Sequence, residues 1–236
     1  MASPMFLAIT ADEIPDISPL PGNLAHLGCY VSSTSLTLAN LPKEPLTGGG
    51  LIIDDHQPIL HCDTAGILRQ LSKLEPSFIL LDFQRPPEYH SMNLATALTQ
   101  LHCPVPMPPG YADNLDCPVF LPPVPPHIPI EEHIAPWPHR EIWLELALDA
   151  VQITITEHGS QITPIPHCQP QENAHKDSML HCHYKITQSD DALQFYCYRT
   201  PEDIDALLHG PLPSNLRHTI GLYQEFANRN SKSASH

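Results

Sequence analysis

The stretch SFILLDFQRP, residues 77–86, runs from apolar side chains into a polar head of Asp82, Gln84 and Arg85. A carboxylate there accepts hydrogen bonds and an amide both donates and accepts, which suits holding a small polar ligand. Further acids close other short apolar runs: Asp54 and Asp55 after GLII, Glu145 within EIWLELAL, and Glu225 within TIGLYQEF. Two carboxyl groups brought together can divide the work of acid and base. Burial of one raises its pKa and keeps it protonated, so Glu145 and Glu225 are the candidates for a proton donor. The same acids, standing at loop junctions, could equally be solvated, and Asp82 and Gln84 could simply satisfy one another.

Sixteen histidines and seven cysteines raise the question of metal chemistry. In LHCHY, residues 180–184, His181 and His183 would share a strand face, as two imidazoles on one Zn²⁺ require, with Cys182 turned away. Shorter groups stand at LHCD (60–63) and PHC (166–168). Most of the other histidines are scattered through proline-rich loops and define no ligand set, so neither a metal nor a cofactor is expected. An odd number of cysteines without a CxxC pair fits reduced, buried thiols rather than a disulfide framework. GGG at 48–50 precedes an apolar run rather than opening a helix, which makes it a turn and not a phosphate loop.

Residues so far apart in the chain meet only if the apolar runs beneath them share a rim. Eight such runs recur, at 5–10, 26–31, 50–55, 78–83, 103–107, 117–121, 141–148 and 219–226. Each is too short for a helix and is bounded by Pro, Gly, Asp or Asn, the pattern of a buried strand. Between the third and fourth, DTAGILRQLSKL puts Ile67, Leu68, Leu71 and Leu74 on one helical face with Asp63 as N-cap, and YHSMNLATALTQL supplies another helix. Apolar strands separated by amphipathic helices predict a parallel sheet covered by helices, and eight strands predict a closed TIM-like α/β barrel. The barrel is expected to be reduced or irregular, because 28 prolines shorten several connections.

Residues 149–200 instead alternate apolar and polar side chains around two turns, His158-Gly159 and Ser189-Asp190-Asp191, which predicts an antiparallel hairpin insert before the last strand. Thr200, Pro201 and Asp203 then carry the signature of a capped helix start. The expected organisation is one domain over 1–226, insert included, followed by a disordered polar tail over 227–236.

The formal charge of −15, from 26 acidic and 11 basic side chains, excludes a surface built to neutralise nucleic-acid phosphates or anionic lipid. The start MASPMFLAITADE has no basic segment and only a short apolar run, so no signal peptide or membrane span is expected, and the location expected is the cytoplasm.

SFILLDFQRP resembles the DxxDxDxE motif that ends the fourth strand of chitinase-like glycoside hydrolases of family 18, in length, in its aromatic position and in its closing proline. FYCYRTPEDIDALL followed by TIGLYQEF is similar to that family's aromatic strand, capped helix and final strand. The family's fold is an eight-stranded barrel with an antiparallel insert before the last strand. Under the resemblance, Ser77 and Leu80 stand where the first two aspartates belong, Asp82 matches the third, Gln84 takes the place of the catalytic glutamate, and Tyr223 falls where a Trp floors the sugar site. A glutamine amide delivers no proton, and losing a general acid forfeits ~10²–10⁴ in rate. The resemblance therefore implies a barrel mouth that binds a saccharide-like or other small polar ligand without turning it over, through Asp82, Gln84, Tyr223, Trp143, Asp54 and Asp55. Phe83, Trp143 and Tyr223 would offer rings for a pyranose to stack on. Two alternatives stay open: a hydrolase whose acid has moved to Glu145 or Glu225, and a structural or partner-binding protein with an empty mouth.

Overall fold

The structure, a computed structural model, describes residues 5–10, 23–44, 46, 48–165 and 169–226. In chain order the elements are β1 (Phe6–Thr10), β2 (Leu24–Val31), β3 (Leu38–Ala39), β4 (Gly50–Asp54), α1 (Thr64–Leu74), β5 (Ile79–Asp82), α2 (Tyr89–Leu98), α3 (Pro109–Ala112), β6 (Val119–Leu121), α4 (Ile130–Ile134) and β7 (Ile142–Leu146). An insert follows, with β8 (Ala150–Thr156), β9 (Gly159–Ile165), β10 (His175–Asp177), β11 (Cys182–Gln188) and β12 (Leu193–Tyr198). The chain ends in α5 (Pro201–His209), β13 (Leu216–Leu222) and α6 (Tyr223–Phe226).

Seven parallel strands run in the order β5-β4-β2-β1-β13-β7-β6, with the short β3 antiparallel to β2. Residues 104–107 fill the gap between β5 and β6. Ile79 N donates to Pro104 O and Leu81 N to Pro106 O, both at 3.0 Å, while Met107 N donates to Pro118 O at 3.1 Å and Phe120 N to Met107 O at 2.7 Å. The prolines lend their carbonyls to β5 and, lacking N–H groups, return nothing. This segment was predicted as the fifth strand. It is the eighth stave of a TIM-like ring, half-bonded because two of its residues are proline.

The barrel interior holds Ala8, Ala25, Ile52, Phe78, Leu80, Phe120, Trp143 and Ile220. Its lower end is sealed by aromatic rings: Phe6 stacks on Trp143 at 5.8 Å, Phe78 lies 4.7 Å from Trp143, and His218 lies 4.2 Å from it. Gly50 makes room for this floor, since a Cβ there would sit 2.0 Å from the Phe78 ring. The second and larger core lies outside the ring, where Leu51, Ile53, Ile79 and Leu81 meet the helices.

Local rules set the helices. In α1 the Asp63 carboxylate accepts from Gly66 N at 2.9 Å, and Ile67, Leu71 and Leu74 are buried as the helical spacing requires. Helix α5 opens with the reciprocal cap of Thr200 and Asp203, with Pro201 at its first position. Elsewhere cover is thin, because α3, α4 and α6 are single turns.

The insert is a separate antiparallel sheet in the order β10-β11-β12-β8-β9, lying in sequence between β7 and α5. Both anticipated hairpins are present, β8–β9 closing at Thr156 and Gly159 and β11–β12 closing at Gln188 and Leu193. The last strand differs from the expected 219–226: it begins at Leu216, ends at Leu222, and residues 223–226 coil into α6. The tail from 227 lies outside the described residues, as does PHC at 166–168.

Candidate functional site

In a parallel barrel the C-terminal strand ends surround one mouth. Here β5 delivers Asp82 and β7 delivers Glu145 to a single cavity of about 110 Å³, walled by Ala8, Leu27, Ile52, Leu80, Phe120, Ile220 and Leu222. Strand alternation explains the selection: on β7 Trp143 and Glu145 face inward and Leu144 outward, and on β5 Leu80 and Asp82 do the same around Leu81.

The electrostatics of the pair follow from its neighbours. Burial, together with the charges of Asp82, Asp149 and Glu225, pushes Glu145 up from 4.5 to about 7. At neutral pH it therefore spends much of its time as a carboxylic acid, able to donate. Burial also raises Asp82, helped by the charges of Asp54 and Asp55 and opposed by a hydrogen bond from Gln84. Among the described residues no cation contributes to lowering either group.

The remaining expected site residues are placed as follows. Gln84 sits on the exposed rim, its Nε2 donating to Asp82 Oδ1 at 2.6 Å. Asp54 stands beside Asp82 in register on the neighbouring strand and is held by His56, whose Nδ1 lies 2.5 Å from Asp54 Oδ1. Glu225 accepts from Leu148 N at 3.0 Å, which ties α6 to the chain leaving β7.

Three expectations need correction. Asp55 is buried, and its two carboxylate oxygens accept from Gln84 N at 2.9 Å and Arg85 N at 2.8 Å. It braces the turn after β5 and does not face the mouth. Trp143 lies one strand repeat below Glu145, 2% exposed and enclosed by Phe6, Phe78 and His218, with its indole N–H donating to Glu141 Oε1 at 2.9 Å. It belongs to the floor and has no face free for a sugar. Tyr223 follows the last strand residue, turns into α6 and packs on the outer core. Leu222 lines the mouth in its stead. Counting two from the inward Ile220 gives Leu222, a signal available once β13 is known to end there.

The paired-histidine reading of LHCHY also dissolves. His181 precedes β11 in a left-handed conformation, φ 47°, and His183 Nδ1 is bonded to Asp203 at 2.8 Å. Asp203 is fully buried and also meets Lys176 Nζ at 2.9 Å and Thr200 N at 2.9 Å. These bonds hold its carboxyl below the usual range against the upward push of burial, and they fasten β10 and β11 of the insert to the start of α5. Nearby, the buried Arg199 donates to the carbonyls of Val124, Leu180 and His181, joining the insert to the loop after β6.

The fold is that of chitinase-like barrels. The chitinase-like agglutinin of Robinia pseudoacacia superimposes with a TM-score of 0.53 at 11% identity, over 91% of this chain and 93% of that one. The spore cortex-lytic enzyme SleL of Bacillus cereus gives 0.51 at 10% identity, over 92% of this chain and 70% of that one. Class V chitinase from Nicotiana tobaccum gives 0.50 at 12% identity and 92% coverage of both chains, and a point mutant of it has been solved in complex with NAG4. No family model and no curated protein matches the chain in sequence. Among the described residues no helix is long and apolar enough to cross a membrane.

Proposed function

We propose that the mouth of the barrel binds a saccharide or similarly small polar ligand, and does so without hydrolysing it. One observation carries the reading: Asp82 and Glu145 open onto the same cavity, so an acceptor and, at neutral pH, a donor are presented side by side on apolar walls. Gln84 stands where the resemblance expects the proton-donating glutamate, and its amide is spent on Asp82. A volume of about 110 Å³ falls short of the ~300–1,000 Å³ of ordinary small-molecule sites, so the cavity takes one substituent of the ligand while the rest lies on the rim. Similar structures include both a chitinase-like agglutinin and a mutant chitinase in complex with NAG4, which supports a glycan as the first ligand class to try. Six free cysteines among the described residues support a reducing compartment, the cytoplasm.

Titration calorimetry against chito-oligosaccharides and a glycan panel tests this. Binding should be weakened at least tenfold by Asp82→Ala or Glu145→Ala, with no release of product. A panel with no binder, or a binder indifferent to both substitutions, would overturn the reading.

A second reading has an observation of its own. Glu145, raised to about 7, has the pKa of a general acid at neutral pH, and Asp82 supplies a second carboxylate beside it. Turnover of an aryl glycoside that disappears in Glu145→Gln while binding persists would establish a relocated acid and displace the binding-only reading.

A further inference from the structure

At the closed end of the barrel, opposite the mouth, α5 hands the chain to β13 across residues 210–215. A second cavity, of about 680 Å³, is walled there by the end of α5, this connection and the first half of β13. That volume lies inside the ~300–1,000 Å³ of ordinary small-molecule sites, a range the mouth cavity does not reach. Its polar side chains are His209, Ser214, Arg217, His218 and Thr219, and none of the chain's 26 acidic residues lines it. Glu141, whose charge reaches His218, stands off this wall and accepts from the Trp143 indole.

The connection is held in place before any ligand arrives. Pro211 and Pro213 fix two backbone angles, Leu216 N donates to Pro213 O at 3.0 Å, and Asn215 Nδ2 donates to Trp137 O at 2.9 Å and Arg140 O at 3.1 Å. Its donors, by contrast, are unspent. Arg217 has no ion-pair or hydrogen-bond partner among the described residues. Thr219 is 5% exposed, and its Oγ1 is buried without a partner. Buried hydroxyls in native folds are normally bonded, so this one is a group that a ligand can satisfy. His209 gives its Nδ1 to Asp205 O at 2.7 Å and keeps Nε2 as a further polar atom.

We propose that this cavity binds a small organic oxyanion, a phosphate ester or carboxylate carried on an apolar body, independently of whatever occupies the mouth. The Arg217 guanidinium offers the forked donor that matches an oxyanion, and the hydroxyls of Ser214 and Thr219 add neutral donors. Leu208, Leu212 and Leu216 wall the space for the apolar body. A cation would meet no carboxylate on this wall, and a wholly apolar ligand would seal Thr219 Oγ1 in unbonded. The acids behind the chain's −15 stand elsewhere, and at physiological salt the field of exposed charges fades beyond ~8 Å. Catalysis in such barrels belongs to the opposite face, so the activity here is binding without turnover.

Titration calorimetry of the full chain with phenyl phosphate, benzoate and the uncharged benzyl alcohol tests this. At least one of the anions should bind one-to-one and at least tenfold more tightly than benzyl alcohol, and the tighter of the two identifies the head group as phosphate or carboxylate. Arg217→Gln should weaken that binding about tenfold, whereas Arg69→Gln, which removes the same charge from the exposed side of α1, should leave it within twofold. Thr219→Val should weaken binding at least threefold and yet raise the melting temperature of the free chain by about 2–4 °C, because a methyl replaces a buried hydroxyl that has no bond to lose. The proposal is overturned if neither anion binds, if benzyl alcohol binds as tightly, or if either Arg217→Gln or Thr219→Val leaves the affinity unchanged.

Discussion

Glu145 decides what the mouth can do, because its protonation state sets whether the cavity offers a donor. A carboxyl whose folded pKa is raised contributes stability that is whole below its unfolded value and is lost as pH climbs through the folded one. With Glu145 moving from 4.5 to about 7, that loss falls between those two pH values and amounts to on the order of 3 kcal/mol. Glu145→Gln should remove it: thermal melts of the variant and wild type should agree near pH 5 and separate in the variant's favour at pH 8. Binding of a ligand that accepts from Glu145 should weaken as pH climbs through about 7, which titration at pH 6 and pH 8 would show. Asp55 is the structural counterpart. Asp55→Ala leaves two backbone N–H groups of the 84–85 turn without their acceptor and should cost about 2 kcal/mol in chemical denaturation.

At the level of elements, most of the ring was legible because each stave writes its burial into a short apolar run, and turn residues mark the ends. The proline-rich stave at 104–107 was readable for the same reason, although its missing N–H groups leave it without a regular ladder. The site was less legible, since one residue of register exchanges inside for outside. Asp82 and Glu145 line one cavity at the mouth. Trp143 and Tyr223 do not, because depth along a strand and the onset of α6 are set by tertiary packing that spacing alone does not encode. Two elements carry predictions of their own. Gly50→Ala drives a methyl into the Phe78 ring and should destabilise by about 1–3 kcal/mol while leaving any ligand affinity of the folded fraction unchanged. Asp203→Ala removes its half of the reciprocal cap of α5 and the partner of Lys176 and His183 of the insert, so it should cost about 3 kcal/mol and raise proteolysis between 175 and 200 before the barrel is cut.

For the whole molecule, the ties from Arg199 and Asp203 argue that barrel and insert melt together. We expect one cooperative calorimetric transition whose calorimetric and van't Hoff enthalpies agree, and two resolved transitions would mean that the insert folds on its own. The aromatic floor has a consequence of another kind. With Phe6, Phe78 and Trp143 closing the bottom of the ring, whatever enters by the mouth must leave by it. A long polymer can be gripped side-on or by its tip, but it can never be threaded through like a rope through a pulley, so processive travel along a chain is mechanically foreclosed to this barrel's lumen.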